Sequence, residues 1–294
     1  MTNNQAPVTV VTGANSGIGR AVAIHLAAQG HTVYGTVRSF DKATKLNAMA
    51  ADAKVEVNLV EMDVAEDKSV EEGLGRVIDE AGRVDVLVNN AGIGGNGVVE
   101  EATIASYAEV MNVNVYGAVR CLKSVLPGMR ARRRGTIVNI TSVAGRFASL
   151  AQAPYVASKW AFEGISEELA QELAMFGIRV AIVEPGVTKS AIFAKNVDST
   201  EEGSDYEPHL RRMFQFYAAG YANATDPFEV AQVVEHAITT PNPVLRYAVS
   251  WGGPEILSRR KEITDEQWVA LGTITDDAEY YRAFANTIGL EIGP

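Results

Sequence analysis

The chain has 294 residues, 26 Lys and Arg against 36 Asp and Glu, a formal net charge of −10, and 47 % apolar and 21 % charged residues. Such a chain can bury a full core, which excludes intrinsic disorder and a disulfide scaffold. Its acidic balance argues against nucleic acid as a partner, because phosphate binding needs a basic face. The single cysteine, Cys121, cannot form an internal bridge, so a reducing, cytoplasmic compartment is expected.

Residues 1–7 are polar and no run of about 18 apolar residues exists, so neither a targeting segment nor a membrane span is expected. Short apolar runs at 8–11, 32–37, 55–60, 84–88, 136–140 and 179–183 read as strands, and amphipathic stretches separate them. In one of these stretches Phe162, Ile165, Leu169, Leu173 and Phe176 recur at helical spacing. Strands alternating with helices imply an α/β fold, a doubly wound parallel sheet covered on both faces. No Pro/Gly/Ser linker interrupts the pattern, so residues 1–294 read as a single domain.

Residues 7–186 form the core of that domain. Residues 187–225 then break the alternation with charges and aromatics, and read as a substrate-lid excursion with short helices and no clear strand. Phe193, Tyr206, Met213, Phe214, Phe216, Tyr217 and Tyr221 are available to it; Phe214, Tyr217 and Tyr221 share helical spacing, a pattern commoner in a core or interface than in a pocket. Residues 226–250 hold a helix (227–239) and a last strand (244–249). The extension 251–294 carries Trp268, Tyr280, Tyr281 and Phe284, and a capping-box pattern at Thr264-Asp265-Glu266-Gln267. It is expected to pack over the site entrance or against a second subunit.

The first strand runs into Thr12-Gly13-Ala14-Asn15-Ser16-Gly17-Ile18-Gly19 and then into a helix. Glycines there allow a tight turn and let a pyrophosphate approach backbone N–H groups at a helix N-terminus. Tyr155 and Lys159 stand four residues apart, on one face of a helix. A phenol titrates near 10, too high for acid–base work at neutral pH, and a nearby ammonium favours its phenolate. The run of Arg130, Arg132, Arg133 and Arg134 fits a helix C-terminus. His25, His31, His209 and His236 show no ligand spacing, so no metal site is expected.

Together these features resemble the short-chain dehydrogenase/reductase family, whose fold is a Rossmann fold. Further motifs match: Asn89-Asn90-Ala91-Gly92 after the fourth strand, Asn112-Val113-Asn114-Val115-Tyr116-Gly117, Ser142 at 13 residues before Tyr155, and Pro185-Gly186 after the sixth strand. The resemblance implies an NAD(P)-dependent oxidoreductase that interconverts a secondary alcohol and a ketone. In it Tyr155 is the general acid/base, Lys159 lowers the Tyr155 pKa and holds the nicotinamide ribose, Ser142 (with Thr141 a competitor for the role) bonds the substrate oxygen, and Asn114 anchors a relay water. Gly13, Asn15, Ser16, Ile18 and Gly19 would wrap the phosphates, Asp63 would contact adenine or cap a helix, and Asn90, Ala91 and Gly92 would line the adenosine ribose. Pro185, Gly186, Val187, Thr188 and Ser190 would face the carboxamide.

Arg38, at the end of the second strand where NAD users place an acid, favours NADP(H) over NAD(H). The expected substrate is an apolar alcohol or ketone, and the expected assembly a homodimer or homotetramer through helices near 103–131 and 154–177. Alternative activities are chemistry at a C=C bond or an epimerisable centre, or NAD(P) sensing without turnover.

Overall fold

The computed structural model describes residues 5–190, 196–197 and 203–293. The chain runs β1 (Val8–Val11), α1 (Gly17–Ala28), β2 (Thr32–Val37), α2 (Thr44–Asp52), β3 (Asn58–Glu61), α3 (Asp67–Ala81), β4 (Val86–Asn89) and the short β5 (Gly94–Gly95). It continues with α4 (Ile104–Met111), α5 (Gly117–Arg132), β6 (Gly135–Ile140), α6 (Ala153–Ala174), β7 (Ile178–Pro185), β8 (Asn196–Val197), α7 (Glu207–Ala222) and α8 (Pro227–Thr239). Last come β9 (Arg246–Val249), α9 (Gly253–Arg260), α10 (Asp265–Ala270) and α11 (Asp277–Ile288).

Seven strands form one sheet in the order β3-β2-β1-β4-β6-β7-β9, every neighbouring pair parallel. The chain winds outward from β1 to β3, returns to β4 and winds the other way. The order therefore reverses between β1 and β4, which opens a crevice at the carboxyl ends of the strands. One face is covered by α3, α5 and α6 through Val70, Leu74, Leu122, Val125, Met129, Leu169 and Leu173. The other is covered by α1, α2 and α8 through Val22, Leu26, Leu46, Val230 and Val234. This is the doubly wound sheet that the alternation of strands and helices implies.

Strand ends differ from the sequence pattern, because pairing with neighbours rather than apolar content decides them. The 55–60 run enters the ladder only at Asn58, where it meets Tyr34, and the 244–249 run only at Arg246, opposite Ile182. The excursion was expected without a clear strand; instead β8 pairs with β5, a two-residue ladder too short to leave any periodicity. Its helix α7 is also longer than the expected short helices. Phe193 lies outside the described residues. On α7, Phe214 and Tyr221 are exposed while Met213 is buried.

Residues 251–294 fold back on the core. The capping box forms, with Gln267 N–H donating to Thr264 Oγ1 and Thr264 N–H to Gln267 Oε1. Ile256, Leu257, Leu271, Tyr280, Phe284, Ile288 and Ile292 close an aromatic-rich cluster on Val143 and Phe147. Buried Arg212 of α7 pins this cap: its guanidinium donates to Asp277 Oδ1 and the Ile274 carbonyl, and stacks 4.1 Å from the Tyr280 ring centroid. No helix among the described residues is long and apolar enough to cross a membrane.

Candidate active site

The β1–α1 turn is shaped by its backbone. Gly13 and Gly17 have φ of +68° and +52°, a region L side chains rarely adopt. Gly13 N–H donates to Thr36 Oγ1 and Ala14 N–H to the Thr36 carbonyl, which fastens the turn to β2. Thr12 Oγ1 accepts from the N–H groups of Asn90 and Ala91, and the Asn90 side-chain amide donates to the Thr12 carbonyl. Thus the turn after β1 and the segment after β4 are locked together across the crevice. Gly17 also lies directly under Ser190, whose Cβ would be 2.8 Å from a Cβ placed there.

A long, open cleft runs along this crevice. Arg38 and Asp63 stand at one end, Gly13, Asn15, Ser16 and Ile18 along the turn, and Asn90, Ala91 and Gly92 beside them. Ser142, Tyr155, Lys159, Pro185, Gly186, Val187, Thr188 and Ser190 line the remainder. Two expected residues do not line it. Gly19 is packed behind the turn: a Cβ there would lie 2.3 Å from the Asn90 amide nitrogen and 2.5 Å from the Gly13 carbonyl oxygen. Its role is close packing, and Gly17 takes the place at the cleft wall. Asn114 is buried behind the wall, its Oδ1 accepting from Ile93 N–H and its Nδ2 donating to the Ile93 carbonyl and to Ser158 Oγ.

Asn114 lies in a π-helical turn, Asn112–Tyr116, between α4 and α5. Such a turn re-aims side chains within a continuous helix and is frequent at functional sites. Ser158 Oγ in turn donates to the Tyr155 carbonyl, so the backbone beneath Tyr155 is tied to the segment after β4. Asp63 caps no helix: its Oδ1 accepts from Ala65 N–H in a local turn, and α3 begins after Glu66.

Ser142 follows β6, and its Oγ accepts from Ala144 N–H and donates to the Pro185 carbonyl at 3.5 Å, with the Tyr155 phenol near enough to feel it. Neighbouring Thr141 turns its hydroxyl to the Val183 carbonyl at 3.2 Å, so it is engaged within the sheet. Lys159 Nζ donates to the Ile140 carbonyl at 3.1 Å and lies 5.6 Å from the Tyr155 ring centroid. Burial holds the Tyr155 phenol above its ordinary range, with the Ser142 hydrogen bond opposing it. Burial also lowers the Lys159 ammonium to about 8, opposed by Glu163.

Pro185-Gly186 is explained by the fold. A Cβ on Gly186 would lie 2.1 Å from the Trp251 carbonyl oxygen, because the chain leaving β9 crosses directly over it. Val187 and Thr188 then bridge to Trp251 and Thr225, and the Thr188 hydroxyl meets Ser250 Oγ at 2.8 Å.

Sequence reasoning missed Ile93, Gly95, Val143, Ser149 and Gln152, which line the cleft near Tyr155. They belong to loops and to elements of two or three residues, too short to show periodicity. It also missed the buried chain from Asn89 through Asn139 to Ser166, which joins β4, β6 and α6. Of the aromatic stripe on α7, Tyr217 reaches the cleft beside Phe216, with its hydroxyl donating to Asn96 Oδ1. His209 lies beside the Tyr206 ring and does not line the cleft. Cys121 is fully buried and its thiol is pushed up to about 12, as befits a small core residue. No cluster of His, Cys, Asp and Glu among the described residues could hold a metal ion.

The cleft fits a dinucleotide. The α1 N-terminus, with no acid in its first turn, faces its middle, and Arg38 and Lys159 place positive charge towards its two ends.

Comparisons with known proteins agree with this geometry. The family model for short chain dehydrogenase matches residues 7–201. A 3-ketodihydrosphingosine reductase of Bacteroides thetaiotaomicron is 36 % identical over 248 residues, 83 % of this chain and 88 % of that protein. The crystal structure of a short-chain dehydrogenase from Streptomyces avermitilis superposes with a TM-score of 0.77 at 34 % identity, covering 93 % of this chain and 100 % of that one. A variant of actinorhodin polyketide ketoreductase, crystallised with NADPH, superposes with a TM-score of 0.69 at 32 % identity over 82 % of this chain and 93 % of that one. With a family match over residues 7–201 and a relative of this identity over most of both chains, this protein belongs to the short-chain dehydrogenase family.

Proposed function

We propose that the protein is an NADP(H)-dependent oxidoreductase that reduces an apolar ketone to a secondary alcohol, or reverses that step. One observation carries the reading: Ser142, Tyr155 and Lys159 converge in the same cleft as the glycine turn after β1. A bound nicotinamide supplies or accepts the hydride. In reduction Tyr155 gives its phenolic proton to the substrate oxygen, and Ser142 donates a hydrogen bond to that oxygen as charge develops. Lys159 has three N–H donors and commits one to the Ile140 carbonyl. The others are available to the nicotinamide ribose and, electrostatically, to the phenolate. Asn114 holds the Ile93 backbone, beside which a relay water would sit.

The preference for NADP(H) rests on Arg38, which lines the cleft and has no ion-pair partner among the described residues. The nearest downstream acid, Asp41, is engaged by the Ser39 hydroxyl. Its guanidinium is free to meet a 2′-phosphate, as the NADPH-bound ketoreductase neighbour encourages. The apolar substrate rests on Val143, Ile93, Phe216 and Tyr217 at the Tyr155 end of the cleft. Self-association through α4–α6 is supported by exposed Tyr116 and Trp160, and light scattering of the pure protein tests it.

Tyr155→Phe is expected to lower turnover about 10²–10⁴-fold while NADPH binding, read by fluorescence, stays intact. Unchanged turnover overturns the acid/base role. NADPH should bind at least about tenfold tighter than NADH, a gap of about 1.4 kcal/mol, and Arg38→Ala should erase that gap. Cofactor binding with no turnover across a panel of ketones and alcohols would point instead to a sensor.

A further inference from the structure

Behind Lys159, away from the cleft, lies a buried pair of carboxylates that the reaction does not use directly. Glu163 is one turn further along α6 and Glu184 is the penultimate residue of β7; they are 5 % and 2 % exposed. Glu163 Oε2 accepts from Arg246 Nε of β9 at 3.1 Å. Glu184 Oε1 lies 3.6 Å from Arg146 Nη1, in the turn after Ser142. Each carboxylate also keeps one buried oxygen, Oε1, with no hydrogen-bond partner among the described residues. Buried carboxylate oxygens left unsatisfied are costly, so the arrangement calls for a physical reason.

The same place is built tightly. A Cβ on Gly145 would lie 2.7 Å from Glu163 Cγ and 3.0 Å from the Lys159 carbonyl oxygen, so the turn that follows Ser142 rests on the Glu163 stem. Among the described residues, the charged groups facing the pair can be named. On α6 these are Lys159 and Glu167, the latter also bonded to Arg246. The remainder are Arg146 and Arg246. Arg259 and Arg260 of α9 turn to Glu262 and Asp265 instead, and Glu255 is exposed.

We infer that Glu163 is a positioning residue for Lys159: its carboxylate, fixed by Arg246 and crowded by Glu184, keeps the buried Lys159 side chain charged at neutral pH. The inference rests on the oxidoreductase reading only for its consequence, not for its measurement. Taking an ammonium out of water favours the neutral amine, and a fixed anion one helical turn away opposes that. Of the two crowded acids, Glu184 is the one driven towards protonation, by burial and by Glu163, with its carboxyl raised to about 6. Glu163 keeps its ion pair with Arg246 and lies one helical turn from Lys159 on α6.

The test reads Lys159 itself, with no substrate. Lysines isotopically labelled at Cε are titrated by NMR in the full-length protein, and the Lys159 signal is assigned by its loss in Lys159→Met. The native midpoint should lie near 8. Glu163→Gln should lower it by about one unit, and Glu163→Asp, which keeps the charge, should restore most of that shift. Glu184→Gln leaves the Glu163–Arg246 ion pair in place and should move the midpoint by less than about 0.3 unit, against the one-unit scale of a neighbouring charge. If Glu163→Gln does not fold, Arg246→Gln serves in its place: freeing Glu163 from its cation should raise the midpoint. A midpoint unmoved by Glu163→Gln, or not raised by Arg246→Gln, overturns the inference. Absence of ketone reduction by the native protein would overturn the proposed function and leave this titration readable.

Discussion

The two layers that sandwich the sheet and the cap formed by residues 251–294 solve the same burial problem with different side chains. The sheet layers are almost wholly aliphatic, and Tyr34 and Phe162 are their buried aromatics among the described residues. The cap is aromatic: Phe147, Tyr280 and Phe284 form its centre, with Trp251, Trp268 and Phe216 packed against them. Branched aliphatic side chains suit the regular spacing between a pleated sheet and a helix. Short helices meeting at irregular angles leave wider gaps, which large planar rings fill through tilted and edge contacts such as Phe147–Trp268 and Phe147–Phe284. The cap thereby makes a second, smaller core, whose Val143 and Phe216 also line the cleft. The glycine-turn half of the cleft stands on the aliphatic frame, and the Tyr155 half borders the aromatic cap.

Truncating one member of each core is the sharpest test of that division. Phe284→Ala should cost about 3–5 kcal/mol and Leu87→Ala about 2–5 kcal/mol. The Phe284 loss should be local, with hydrogen exchange rising in α9–α11, KM for an apolar ketone rising, and NADPH affinity holding. The Leu87 loss should appear in every element of the sheet. A uniform rise in exchange across the molecule for both variants would show one cooperative core instead.

A smaller effect is expected where the cap is pinned to α7. Asp277→Asn weakens the bond to Arg212 but leaves the Ile274 and Thr275 carbonyls to that guanidinium. Because Asp277 is partly exposed, a loss of about 1–2 kcal/mol is expected, below the 3–5 kcal/mol of a fully buried broken pair. Denaturant unfolding followed by tryptophan fluorescence checks it.

The smallest effect belongs to the frame. Glu184 is raised to about 6 in the folded protein, first by burial and then by Glu163. A raised acid contributes stability below its unfolded value, and that contribution is lost as pH rises through the folded one. Glu184→Gln should therefore match the native protein near pH 4 and become more stable above pH 6, by about 1 kcal/mol. Paired unfolding curves across that range test the sign, and a variant less stable at pH 8 would refute it.

Most of the frame was legible because its signals are local. Strand runs, helical stripes, the glycine turn and the four-residue spacing of Tyr155 and Lys159 each lie within one or two turns of chain. The preference for Ser142 over Thr141 came from its 13-residue interval to Tyr155; in the structure the Thr141 hydroxyl donates to the Val183 carbonyl. Gly19 packs against Asn90 and does not line the cleft, a placement the sequence does not show because a glycine that approaches a cofactor and one that approaches a side chain carry the same letter. Gln152, Ser149 and the β5–β8 pairing left no pattern, since each depends on segments far apart in sequence meeting at the cleft.

The sequence alone thus determined the parallel α/β frame, the place of the glycine turn and the spacing that puts Tyr155 and Lys159 on one helix face, because periodicity and motif spacing are properties of short stretches of backbone. Only the tertiary structure decided which aromatics of α7 face the cleft, how residues 251–294 close around Phe147, and that Glu163 and Glu184 share the space behind Lys159. Those outcomes depend on which surfaces remain to be buried once the sheet has formed, and on electrostatic neighbours that no single segment contains.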